Sequence, residues 1–126
     1  MPAIIRRLAD TDWAGWPPEQ LAQRGNVSWK ELIGDPAAGT DMVVGVARLM
    51  PGEHLALHRH TQPEIYFMLT GQGLVTVDGE VHDVQAGSLV FIPGDAEHGI
   101  RNVQAAELQF LYAFATGDFN AIEYRF

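Results

Sequence analysis

The residues best equipped for chemistry near neutral pH are five histidines, His54, His58, His60, His82 and His98. Three of them fall at spacings with a mechanical meaning. In an extended strand, residues i and i+2 share a face, so His58 and His60 aim together and Arg59 faces the other way. Glu64 follows after Thr61-Gln62-Pro63. Proline sits poorly inside a central strand, so a turn is expected there. Glu64 then opens the next antiparallel strand and meets the histidine pair across the ladder. His98 has to come from a distant segment, past Pro93-Gly94-Asp95. Three imidazoles and one carboxylate suit a divalent transition metal such as Fe(II), Mn(II), Zn(II), Ni(II) or Cu(II). Such a set leaves positions for water and substrate, as catalytic sites require. His54 and His82 lie outside this pattern and are expected in solvent.

Around these four residues stand further candidates. Tyr66 lies two residues after Glu64 and shares its face, so its hydroxyl is placed to act as a general base on a substrate. Its other reading is a buried wall tyrosine. Met68 continues that face and is expected to form the substrate pocket's floor. Arg48 interrupts the apolar run Met42–Met50, where it would pair a substrate carboxylate bidentately or sit solvated at an edge. Phe110, Tyr112 and Phe114 alternate on one face of a later run, opposite Gln109, and the spacing alone does not say which face lines a cavity.

The elements that must position these side chains are short strands. From residue 42 onward, apolar runs alternate with turn signals every ~8–12 residues, the rhythm of a β-sandwich or barrel. The runs are Met42–Met50, Ala56–His60, Glu64–Leu69, Leu74–Val77, Glu80–Val84, Ser88–Ile92, Gly99–Val103 and Leu108–Ala115. Asp78-Gly79 is the sharpest turn, a two-residue type I′ hairpin with φ positive at both centres. Residues 1–41 form an irregular arm carrying Trp13, Trp16 and Trp29. It is expected to hold a helical turn near Pro18–Gln23 and a short strand at Ser28–Ile33, and to pack on the β domain or on a partner subunit. Residues 42–116 make the β domain. Residues 117–126 are a tail or an edge strand.

Composition narrows the function. The 126 residues suit a single domain. A chain of that size buries about two-thirds of its unfolded surface and needs no metal merely to hold a core. A net charge of −8 argues against nucleic acid and anionic membranes, which attract basic patches. The absence of cysteine removes thiolate and redox chemistry. With no long apolar segment near the start or elsewhere, a cytoplasmic location is expected.

A resemblance sharpens these readings. Gly52, His58, His60, Glu64 and Gly71 stand at the fixed positions of the first cupin motif. Gly87, Pro93, His98 and Asn102 resemble the second, except that its glycine after proline stands one place early, as Gly94, and Asp95 takes the expected position. Asp tolerates left-handed turn conformations at modest cost. The resemblance covers about residues 42–116. It implies an all-β double-stranded β-helix, or jelly-roll barrel. It also implies His58, His60, Glu64 and His98 as ligands of one divalent ion (Fe, Mn, Zn or Ni). The cluster through Tyr66 also resembles that of cupin lyases acting on dimethylsulfoniopropionate, where such a tyrosine abstracts the α-proton, although other cupins share it. The expected function is therefore a metal-dependent enzyme acting on a small oxygenated or carboxylate substrate, by proton abstraction (lyase or isomerase) or as a dioxygenase. The alternative is a binding or sensor cupin without turnover. A homodimer is expected, because open sheet edges need cover.

Overall fold

Short strand-forming runs separated by turns make up most of this chain, and in the longest of them, such as Glu64–Met68 and Leu108–Phe114, every second side chain turns inward. In the computed structural model, which describes residues 2–126, these become nine strands among the described residues. They are β1 (Ser28–Ile33), β2 (Val43–Leu49), β3 (His54–His58), β4 (Glu64–Thr70), β5 (Gln72–Val77), β6 (Glu80–Gln85), β7 (Leu89–Ile92), β8 (His98–Arg101) and β9 (Leu108–Phe114). One sheet has the order β1-β2-β9-β4-β7 and the other β3-β8-β5-β6, with antiparallel pairing throughout. No ladder joins the two sheets among the described residues, so the jelly roll takes the form of two sheets around one core.

The period of two explains the layers. Along β4, Glu64, Tyr66 and Met68 are buried, while Phe67 and Leu69 on the other face are exposed. Along β9, Leu108, Phe110, Tyr112 and Phe114 point inward. These meet Leu55 of β3, Val75 of β5 and Ile100 of β8 from the other sheet in one apolar cluster. Fully burying each such side chain contributes roughly 1.5–3 kcal/mol.

Turn chemistry sets the register. Asp78 and Gly79 both have positive φ, as a type I′ hairpin requires, and Val77 pairs with Glu80 across it. Only Gly71 separates β4 from β5, at φ 81° and hard against the Glu107 carbonyl. The strand expected at Ala56–His60 runs from His54 to His58 instead, with a register irregularity between Leu55 and His58.

The N-terminal arm packs on its own chain. A 3₁₀ turn (Pro18–Gln20) leads into the single helical turn α1 (Leu21–Arg24), which ends at Gly25 with φ 89°. A side chain at Gly25 would overlap the His54 backbone, so the close approach of arm to β3 requires glycine. The following β1 pairs along β2 as the edge of the larger sheet. Gly45 of β2 faces Tyr112 across the β2–β9 ladder. A methyl group there would overlap both the Tyr112 hydroxyl and the Lys30 carbonyl. Gly45→Ala is therefore expected to destabilise the fold by about 1–3 kcal/mol, read as a lower urea midpoint at constant slope.

Candidate metal centre

Each prospective ligand is set by a different piece of backbone. His58 ends β3 and His98 begins β8, and the two are direct cross-strand partners. Their rings lie 4.2 Å apart. His60 stands two residues past His58 on the same face, 4.8 Å ring to ring from His98. Exposed Arg59 points away between them. The donor atoms of the three histidines all lie within 4.8 Å of one another. Glu64 opens β4, between β9 and β7 in the larger sheet. It does not meet the histidines across a ladder, as the spacing suggested. The chain changes sheets at residues 59–63, and the carboxylate reaches His60 and His98 across the core, with Oε1 3.2 Å from each Nε2.

The hydrogen bonds around this cluster determine what it can bind. The Nδ1 atoms of His58, His60 and His98 lie 2.8, 2.8 and 2.9 Å from the carbonyls of Ala56, Gln62 and Ala96. A carbonyl only accepts, so Nδ1 carries the proton and each Nε2 presents a lone pair inward. The buried Nε2 of His58 has no partner at all. Burial above all, then the nearby His98, lowers the His58 pKa from 6.5 to about 3, so this ring is neutral at pH 7. Three inward-facing Nε2 atoms and one carboxylate thus converge in an interior almost closed to water. Acceptors facing acceptors repel unless a cation lies between them. The donor set is therefore able to coordinate a metal ion, with imidazoles oriented by their outer hydrogen bonds as metal-binding histidines commonly are.

The surroundings are aromatic. Tyr66 is fully buried near the cluster, its ring 6.2 Å from that of His98 and its hydroxyl without a partner. Burial first, then the Glu64 charge, pushes its pKa well above 10. Tyr124 lies 5.3 Å from His58 and 5.6 Å from His60, ring to ring, and its pKa is raised by the same two causes. Together with Trp16, Trp29, Phe110, Phe114 and Phe119, these residues line a cavity of about 50 Å³ that reaches His58 and Glu64.

Other expected site residues lie elsewhere. Arg48 faces away from the core: its guanidinium lies 4.0 Å from the Trp13 ring centroid and 3.8 Å from Glu107. The inward positions of β2 are Val43, Gly45, Ala47 and Leu49, so alternation puts Arg48 on the outer face. The structure gives it no place in the cavity. Met68 shares the inward face of Tyr66 but belongs to the core and does not line the cavity. His54 and His82 are exposed. Tyr124 and the tail around it were not singled out by the sequence. The i, i+2 pairing of Tyr124 and Phe126 was the signal that could have pointed to them.

With this geometry in view, the Cupin domain family pattern matches residues 45–114, more than half of the chain. The chain belongs to the cupin family. This cupin is 53% identical over 104 residues to the dimethylsulfoniopropionate lyase DddW of Ruegeria pomeroyi, a match spanning 81% of this chain and 67% of that one. It is 39% identical over 109 residues to the protein MJ1618 of Methanocaldococcus jannaschii, covering 86% of each. Its fold is similar to that of a predicted oxalate decarboxylase from Thermotoga maritima, at TM-score 0.78 and 23% identity over 89% of this chain and 98% of that one.

The lowered His58 pKa has a thermodynamic consequence for the metal-free cupin. Between about pH 3 and 6.5 the unfolded chain binds a proton that folded His58 refuses. Stability present above pH 6.5 is therefore lost as pH falls toward 3. The melting temperature of the metal-free protein should drop through this window, and less steeply in His58→Gln. Parallel curves for the two proteins would contradict this account.

Proposed function

We propose that this cupin is a metal-dependent lyase that cleaves dimethylsulfoniopropionate into acrylate and dimethyl sulfide. The observation that carries the reading is the unpartnered Tyr66 hydroxyl, buried two residues along β4 from Glu64. The relation to DddW supplies the substrate. In this reading His58, His60, Glu64 and His98 hold one divalent ion. When bound, such an ion supplies positive charge that acidifies the α-proton of a carboxylate and the hydroxyls beside it.

The chain's own residues then have distinct tasks. Tyr66 takes the proton from Cα as phenolate. The Cα–H electron pair forms the C=C bond of acrylate, and the C–S pair leaves on sulfur as neutral dimethyl sulfide. The proton remains on the Tyr66 oxygen until water removes it. Without a cation Tyr66 is a poor base, because burial and Glu64 both hold its proton in place. Trp16, Trp29 and Phe119 offer apolar and π surface to a sulfonium group, whose charge is attracted to ring faces. The three imidazoles are fixed by the backbone, so none needs to reorient during the reaction.

The test is headspace dimethyl sulfide released from dimethylsulfoniopropionate by metal-loaded protein. Tyr66→Phe should lower kcat by about 10²–10⁴-fold, while metal content measured by atomic emission stays at the wild-type level. His98→Ala should lower metal content and activity together. Full activity in Tyr66→Phe would remove the base assignment. A fully loaded protein that releases no dimethyl sulfide would remove the substrate.

A further inference from the structure

The cavity beside the ligand cluster holds about 50 Å³. Clefts for small ligands run to roughly 300–1,000 Å³. A substrate reaching the cluster therefore requires one wall to move. Most walls are strands paired on both sides: β2 lies between β1 and β9, and β4 between β9 and β7. Parts of the wall lie outside both sheets, among them Trp16 of the arm and the segment 122–126, which follows a 3₁₀ turn at Phe119–Ala121 and pairs with the rest of the chain at a single bridge.

This segment packs directly against the histidine cluster. Arg125 exchanges a pair of backbone hydrogen bonds with Arg59, each 2.9 Å, between the two ligands His58 and His60. On either side of Arg125, the rings of Tyr124 and Phe126 turn inward, 5.3 and 5.1 Å from the His58 ring. Trp16 of the N-terminal arm packs edge-on against both. One further tie holds the segment down. The Arg125 guanidinium lies 2.6 Å from the Asp95 carboxylate, and the Arg59 guanidinium donates to the Asp95 carbonyl at 3.0 Å. Asp95 also donates its N–H to the His60 carbonyl at 2.8 Å.

Asp95 is the residue that departs from the cupin pattern. It sits at φ 64°, a left-handed conformation in which glycine is unstrained. An aspartate there costs local backbone energy that glycine would not, and its carboxylate does nothing for the turn's own hydrogen bonds: it meets only Arg125. We propose that Asp95 and Arg125 form a clasp that holds the 124–126 segment as a gate over the metal centre, and that its release admits substrate. Asp95 is thus a positioning residue acting through Arg125 on Tyr124 and Phe126. The inference rests on the cavity being the substrate site, but its test needs no turnover.

The test uses zinc-loaded protein without substrate. Asp95→Gly removes the carboxylate and supplies the residue that the turn prefers, so a merely structural role predicts equal or higher melting temperature and unchanged local protection. The clasp predicts that amide exchange at Arg59 and Arg125 speeds up by about two- to fivefold, the range of an exposed ion pair, with β9 amides as the unchanged internal reference. EDTA should strip zinc faster by a similar factor. Arg125→Ala should match Asp95→Gly in both readouts. Raising salt should speed both processes in the wild type and leave Asp95→Gly unaffected. Unchanged exchange at Arg59 and Arg125 would overturn the clasp. Faster exchange with unchanged zinc stripping would overturn the gate. Neither result depends on whether dimethyl sulfide is released.

Discussion

The convergence of acceptors inside an apolar interior is the constraint around which the rest of this protein is arranged. Three Nε2 lone pairs and the Glu64 carboxylate share a space with no hydrogen-bond donor of their own. Such an arrangement persists only because the ring orientations are fixed from behind. The carbonyls of Ala56, Gln62 and Ala96 hold the three Nδ1 protons. Those carbonyls are in place because β3 pairs with β8 in a register that sets His58 opposite His98, and because Pro93-Gly94-Asp95 returns the chain to the site. Backbone geometry therefore governs side-chain chemistry here more directly than packing does.

The same constraint explains why the site is walled with rings. Solvent would satisfy free lone pairs and remove the demand for a cation, so the cluster depends on the exclusion of water. Trp16 from the arm, Tyr66 and Phe114 from the larger sheet, and Tyr124 from the tail supply that exclusion. Aromatic walls add a preference of their own, since their faces attract positive charge while the net charge of −8 is carried largely on the outside. Burial that keeps the His58 imidazole neutral also holds the protons of Tyr66 and Tyr124 in place. One physical cause thus acts on the histidine cluster and on the tyrosines beside it.

Much of this was legible in the residues. The alternation in Glu64–Leu69 and Leu108–Ala115 matched β4 and β9, since a strand with one buried face must repeat every two residues. Asp78-Gly79 declared its hairpin because few residues tolerate positive φ. The expected turn at Pro63 was also met. The features left open or misplaced share a different origin. Arg48 was open between an inward and a solvated edge position, because an arginine in an apolar run has no face until the strand's neighbours are known. The partners of that strand, β1 and β9, settle its orientation. Glu64 was expected across a ladder, but local spacing cannot tell a hairpin partner from a residue on the facing sheet. The alternation of the tail, Ile122-Glu123-Tyr124-Arg125-Phe126, is too short to mark a strand, and the segment pairs only at Arg125 instead of extending a sheet.

The sequence by itself therefore determined the family, the strand rhythm and the identity of the cluster around His58, His60, Glu64 and His98, because each rests on residue type and short-range spacing. Tertiary structure alone decided three further matters: that Glu64 approaches from the opposite sheet, that Arg48 lies outside the cavity, and that the tail pairs with Arg59 and brings Tyr124 to the cavity wall. The physical reason is that these depend on contacts between segments far apart in the chain. Asp95 joins the two levels. In the sequence it is a departure from the glycine expected after Pro93, while in the fold its carboxylate reaches Arg125, 30 residues away.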